Sequence, residues 1–116
     1  MSVSHITTHV LDAADGRPAA GVAVQLFARD GDAWTPLAET VTDADGRATG
    51  LGPERVAPGD YRLRFDTGAY FAAHDTPTFY PEVLVTFRVE EGRAGEAHFH
   101  VPLLLSPFAY STYRGS

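Results

Sequence analysis

The chain has 116 residues, 44% of them apolar and 21% charged, with no cysteine and a formal net charge of −6. That length and balance fit one domain of ordinary size with a real buried core. The missing cysteines exclude a disulfide scaffold and any thiolate metal site, and the acidic balance excludes charge-driven nucleic-acid binding.

Taken in chain order, short alternating segments are separated by Gly, Pro and Asp. The stretch "SHITTHVLDA" (4–13) is β-branched and alternates, and ends at "ADGRPAAG", where Asp15-Gly16 supplies the positive-φ chemistry of a tight turn. "VAVQLFAR" (22–29) places Val22, Val24, Leu26 and Ala28 on one face. After "DGD" comes "AWTPLAETVT" (33–42), a strand that Pro36 confines to a sheet edge. A second Asp-Gly turn falls in "TDADGRATG" (42–50). In "DYRLRFDT" (60–67), Tyr61, Leu63 and Phe65 face one way, Arg62 and Arg64 the other.

The one helical candidate is "TGAYFAAHD" (67–75), with Thr67 as its N-cap. "EVLVTFRVE" (82–90) turns Val83, Val85, Phe87 and Val89 inward. After "EGRAGE" come "AHFHVPLLLS" (97–106) and the tail "PFAYSTYRGS" (107–116). Seven or eight short strands at near-regular spacing and one short helix predict an all-β antiparallel sandwich. One domain over 1–116 is expected. Sandwich edges must be covered or paired, which favours an oligomer.

No stretch approaches the roughly 20 apolar residues of a membrane span. The first residues lack the basic and apolar regions of a signal peptide, and the last three are not "SKL", so the cytoplasm is the expected compartment. All nine cationic side chains are arginine, which reads first as coding bias, although single arginines serve well as planar anion clamps.

The five histidines are the strongest chemical signal. With a side-chain period of two, His98 and His100 share a face, as do His5 and His9, while Phe99 and Val101 feed the core. Two imidazoles side by side are an acid–base pair, half a metal site, or surface residues satisfied locally. Taken alone, Arg47 is a solvated turn arginine and Arg62 and Arg64 a solvated strand face. "DADG" opens like a calcium loop, but the later ligands are missing. There is no phosphate loop, nucleophile elbow or "HExxH".

Several stretches together resemble the 5-hydroxyisourate hydrolases of the transthyretin-like family: "HVLD" (9–12), "GRPAAGV" (16–22), "TDADGR" (42–47), "FYPEV" (79–83) and "HFHVPLLLSPFAYSTYRGS" (98–116). The closing "YRGS" is the most specific, because hormone-carrying transthyretins share the fold and lack that ending. The resemblance implies an eight-stranded transthyretin-like sandwich, a homotetramer with active sites at the dimer–dimer interface, and no metal or organic cofactor. It implies hydrolysis of the lactam of 5-hydroxyisourate to 2-oxo-4-hydroxy-4-carboxy-5-ureidoimidazoline. The implied site is His9, Arg47, His98, His100 and the tail Tyr113, Arg114, Gly115 and Ser116.

Those residue types suit the reaction. His9 and His100 jointly take and return the proton of the attacking water. Arg47 holds the planar anion and its developing charge. Ser116 donates through its hydroxyl, and its carboxylate fixes a histidine tautomer. Gly115 lets the backbone turn, and Tyr113 and Arg114 pin the tail. Three rivals stand beside this reading. One is a transthyretin-type carrier, whose channel would want apolar groups where this chain supplies histidine and arginine. Another is an immunoglobulin-like module, which lacks its Cys…Trp…Cys framework here. The third is a zinc hydrolase using His9, His98 and His100.

Overall fold

The computed structural model describes residues 4–90 and 98–115. The "EGRAGE" segment and Ser116 lie outside the described residues. The described strands are β1 (Ile6–Asp12), β2 (Arg17–Pro18), β3 (Ala23–Asp30), β4 (Ala33–Val41), β5 (Arg47–Ala48), β6 (Gly59–Phe65), β7 (Val83–Val89), β8 (Phe99–Ser106) and β9 (Ala109–Thr112). A single helix, α1 (Thr67–Ala73), follows β6.

The strands form two sheets. One runs β2-β1-β8-β9, with β5 also pairing β1; the other runs β4-β3-β6-β7. Alternation does the sorting: Ile6, Val10, Leu103 and Leu105 from the first sheet meet Val24, Leu26, Leu63, Phe65 and Val83 from the second in one buried core. Each such side chain contributes about 1.5–3 kcal/mol on burial. The expected sandwich with one helix is what forms.

Four details depart from the expectations or refine them. The pairing of β1 with β8 is parallel, with Ile6 opposite Phe99 and Asp12 opposite Leu105; every other strand pairing is antiparallel. Alternation within each strand carries no sign of partner direction, so sequence pattern could not reveal it. The helix N-cap is Asp66, not Thr67: the Asp66 carboxylate accepts from the Ala69 N–H at 3.1 Å. Thr67 instead donates its hydroxyl to the Tyr80 carbonyl at 2.6 Å, tying α1 to the "FYPEV" segment. His5 does not share the His9 face, because β1 begins only at Ile6. The His5 ring is buried edge-on against Phe99, and its Nδ1 accepts from the Val56 N–H at 3.0 Å.

The fourth concerns β4, which is the edge strand that Pro36 requires, and the pairing slips there. Phe27 is opposite Pro36 and Leu26 opposite Ala38, leaving Leu37 as the extra residue of a bulge. At the far end of β1, the buried Asp12 carboxylate accepts from the Ala14 and Asp15 N–H groups and from the Tyr70 hydroxyl at 2.8 Å. The first turn, the first strand and the helix are thus fastened at one carboxylate. Burial, then the hydrogen bond to Asp12, pushes the Tyr70 phenol well above its usual range, so it stays a donor.

Candidate active site

The site grows from the second Asp-Gly turn. The Asp43 carboxylate accepts from the N–H groups of Asp45 and Arg47 at 2.9 and 3.0 Å, an Asx turn that starts β5. Gly46 has φ of +76°, and a Cβ there would run into the Val10 carbonyl oxygen. The Gly46 carbonyl accepts from the Val10 N–H at 2.7 Å, so the turn docks directly on β1. "DADGR" is therefore a device for laying Arg47 against the first strand, with Arg47 opposite His9.

On the other side of β1, the parallel register sets Thr7 opposite His100. The Thr7 hydroxyl lies 2.9 Å from His100 Nδ1. His98 and His100 stand together as expected, with ring centroids 6.4 Å apart. Arg47, His98 and His100 line a cavity of about 320 Å³ together with Thr7, Thr8, Ala48 and Thr49. His9 lies beside it and holds the Asp45 carbonyl at 2.7 Å through Nε2. A carbonyl only accepts, so that nitrogen carries the proton.

The tail returns to the same place. β9 runs antiparallel to β8, and beyond it Gly115 bridges to His100, its N–H donating to the His100 carbonyl at 2.9 Å. A Cβ on Gly115 would sit 2.5 Å from His100 Cδ2, so only glycine lets the backbone lie against this ring. The Arg114 guanidinium lies 4.9 Å over the Phe99 ring. Tyr113 and Arg114 line a different cavity, of about 330 Å³, between the tail and Val85–Arg88 of β7; His100 contributes to both. Of the expected residues, then, His9, Arg47, His98, His100 and Gly115 converge, Tyr113 and Arg114 stand one wall away, and Ser116 lies outside the described residues.

The electrostatics favour a neutral His100. Desolvation of the half-buried ring, then the nearby His98, Arg47 and His9, hold its pKa below the ordinary histidine value, and the Thr7 backbone opposes them. Among the described residues no cluster of three or more His, Cys, Asp or Glu side chains is arranged to hold a metal ion, so the zinc reading gains no support. No helix among them is long and apolar enough to cross a membrane. Sequence reasoning missed Thr7 and the Asp45 carbonyl. Thr7 lies two residues before His9 and so shares its face, but only the parallel register gives it a partner.

Known proteins with this pattern bear two kinds of name, 5-hydroxyisourate hydrolase and transthyretin. The 5-hydroxyisourate hydrolase of Caulobacter vibrioides is 48% identical over 118 residues, covering 98% of this chain and 100% of that one. The structure of Klebsiella pneumoniae 5-hydroxyisourate hydrolase superposes with a TM-score of 0.82 at 38% identity, covering 97% and 100%. Transthyretin from Sparus aurata superposes with a TM-score of 0.87 at 35% identity, covering 96% of each chain. Backbone shape alone is therefore shared by proteins of both names. The profile of the HIUase/Transthyretin family matches residues 6–115, and this chain belongs to that family.

Proposed function

We propose that this chain hydrolyses 5-hydroxyisourate, opening its lactam to give 2-oxo-4-hydroxy-4-carboxy-5-ureidoimidazoline. The observation that carries the reading is the meeting of His9, Arg47 and His100 from three strands beside one cavity. Relatives bearing the hydrolase name at 47–48% identity support it. A carrier of apolar ligands has no use for two imidazoles and a guanidinium without an acidic partner among the described residues.

The residue roles follow from the chemistry. A neutral imidazole takes a proton from water as the oxygen attacks the lactam carbonyl, a step worth about 10²–10⁴-fold in rate. The tetrahedral oxyanion that forms is held by the Arg47 fork, and His98 borders the same space. The C–N bond then breaks, the carbonyl carbon leaves as a carboxylate, and the nitrogen takes the proton back from the imidazolium. His9, with Nε2–H fixed on the Asp45 carbonyl, keeps Nδ1 for substrate. Gly115 holds the His100 ring, Tyr113 and Arg114 pin the tail, and Ser116 donates through its hydroxyl. No step is routed through a metal or organic cofactor.

The working form is a cytoplasmic homotetramer of one-domain chains, with its sites between dimers. Exposed aromatics support this assembly: Phe79 is 71% exposed, Phe108 66% and Tyr113 60%, flanking the open edge of β9. An unprotected edge bordered by aromatics is a pairing surface.

The test is direct. 5-Hydroxyisourate made with urate oxidase decays measurably in the ultraviolet, and the wild-type chain should accelerate that decay, with or without chelator. His9→Ala and His100→Ala should each lower kcat by about 10²–10⁴-fold with the fold intact. Near-native turnover in both variants would remove the histidines from the mechanism, and no acceleration by the wild type would return the chain to the carrier reading.

A further inference from the structure

Two adjacent threonines on β1 do different jobs. Thr8 points into the protein, is fully buried, and donates its hydroxyl to the Val101 carbonyl at 2.6 Å, an ordinary way to satisfy a buried hydroxyl. Thr7 points to the opposite face, where His100 stands, and its hydroxyl meets Nδ1 at 2.9 Å. The contact follows from register: in the parallel β1–β8 pair Thr7 and His100 are Cα partners, so no slack intervenes between the two side chains.

The ring is held at two edges. Thr7 engages Nδ1, and the Gly115 backbone lies against Cδ2 so closely that a single added carbon would collide with it. Among the described residues, the contacts of His100 use Nδ1 and leave Nε2 open, and the residue lines the cavity that also receives Arg47 and His98. An imidazole gripped at Nδ1 and Cδ2 can neither flip nor tilt without breaking one of these contacts.

We propose that Thr7 is a positioning residue that fixes His100 as the Nδ1–H tautomer, so that the Nε2 lone pair receives the proton of the attacking water. The proposal rests on the hydrolase reading above. Thr7 touches neither water nor substrate in this account; it acts through His100. The Thr7 hydroxyl oxygen accepts as well as donates, so at 2.9 Å it can accept from Nδ1–H and leave the Nε2 lone pair toward the cavity. His9 is fixed the other way, with Nε2–H on the Asp45 carbonyl, so the two histidines present different nitrogens to the site.

The pH consequence has a definite sign. A base works only when neutral, so kcat/KM should fall as pH drops through the His100 pKa, which lies below the ordinary value of 6.5. The groups facing the ring are His98 ahead of β8, His9 and Thr7 on β1, Arg47 on β5 and Gly115 from the tail. Desolvation comes first among the causes that lower the pKa, followed by His98, Arg47 and His9.

The experiment uses the full chain labelled with ¹⁵N-histidine, in wild-type, Thr7→Val and Thr7→Ser forms, with thermal unfolding confirming that each is folded. In the wild type, the imidazole spectrum of His100 should report a protonated Nδ1 and a bare Nε2. Thr7→Val keeps the shape and loses the oxygen; it should mix the two tautomers and lower kcat about 10-fold with little change in KM. Thr7→Ser should restore both readouts. A wild-type His100 carrying its proton on Nε2, or a Thr7→Val variant with native kcat and an unmixed tautomer, overturns the proposal. The spectrum decides the tautomer even for a chain that fails to hydrolyse 5-hydroxyisourate, so the two readings fail separately.

Discussion

The outer faces of the two sheets use arginine in opposite ways. On β3, β6 and β7 four arginines project outward, and each is matched. Arg64 pairs with Glu82 and also donates to Gln25, Arg88 and Arg29 share Asp60, and Arg62 donates to Thr86 while stacking 4.1 Å over Trp34. On the other sheet Arg47 faces His9 and borders the cavity, with no acidic partner among the described residues. A guanidinium already neutralised has little left for a ligand; an unmatched one beside two imidazoles attracts an anion. The lesson is that a cation count locates nothing. What marks a site is a cation left with neither an acid, a hydroxyl nor a ring to hold it, beside groups that can do chemistry.

The sharpest way to break that contrast is to remove one arginine from each face. Arg47→Ala should lower kcat/KM for 5-hydroxyisourate by about 10²–10³-fold, the usual loss when a donor to a developing oxyanion is removed. Arg64→Ala, which removes a guanidinium already paired with Glu82, should leave kcat/KM near the wild-type value. Equal losses from both variants would mean that the unmatched charge is not what singles out the first sheet. A milder intervention works through the tail. Gly115→Ala adds a carbon where the His100 ring already sits, so the ring or the tail must shift by an ångström or so. Misplacement on that scale should lower kcat about 10²-fold, while a Gly31→Ala control in a turn with open space should leave it alone.

The smallest effect on activity is expected at the far end of β1. Tyr70→Phe leaves the buried Asp12 carboxylate short of one donor, which should cost about 1–3 kcal/mol of stability, read by denaturant unfolding. Turnover at a temperature well below the transition should be unchanged. A large loss of kcat there would show that the helix anchor and the histidine site are coupled, and that the two ends of β1 are not independent.

Much of this could be read from the chain itself, for identifiable reasons. Period-two alternation set which side chains of β1, β3, β6, β7 and β8 face the core, because burial rewards the same face at every second residue. The Asp-Gly pairs marked both turns, since Gly16 and Gly46 adopt positive φ where other residues are strained. Pro36 marked an edge because it has no N–H to offer a second neighbour. His98 and His100 were a same-face pair by spacing alone. Errors came where a local rule met a boundary: His5 lies one residue before its strand, and Asp66 rather than Thr67 caps the helix because its carboxylate reaches the Ala69 N–H.

What sequence pattern could not supply was partnership between segments far apart in the chain. Side-chain alternation is identical for parallel and antiparallel neighbours, so nothing in "ITTHVLD" or "FHVPLLLS" announces that these strands run the same way. That single choice of direction brings Thr7 to His100 across 93 positions of sequence. The turn docked on Val10 likewise brings Arg47 to His9, and a backbone without a Cβ brings the tail to the imidazole. Local propensity and burial chose the strands and their inward faces. Register and close packing, which depend on the whole fold at once, decided which polar groups meet.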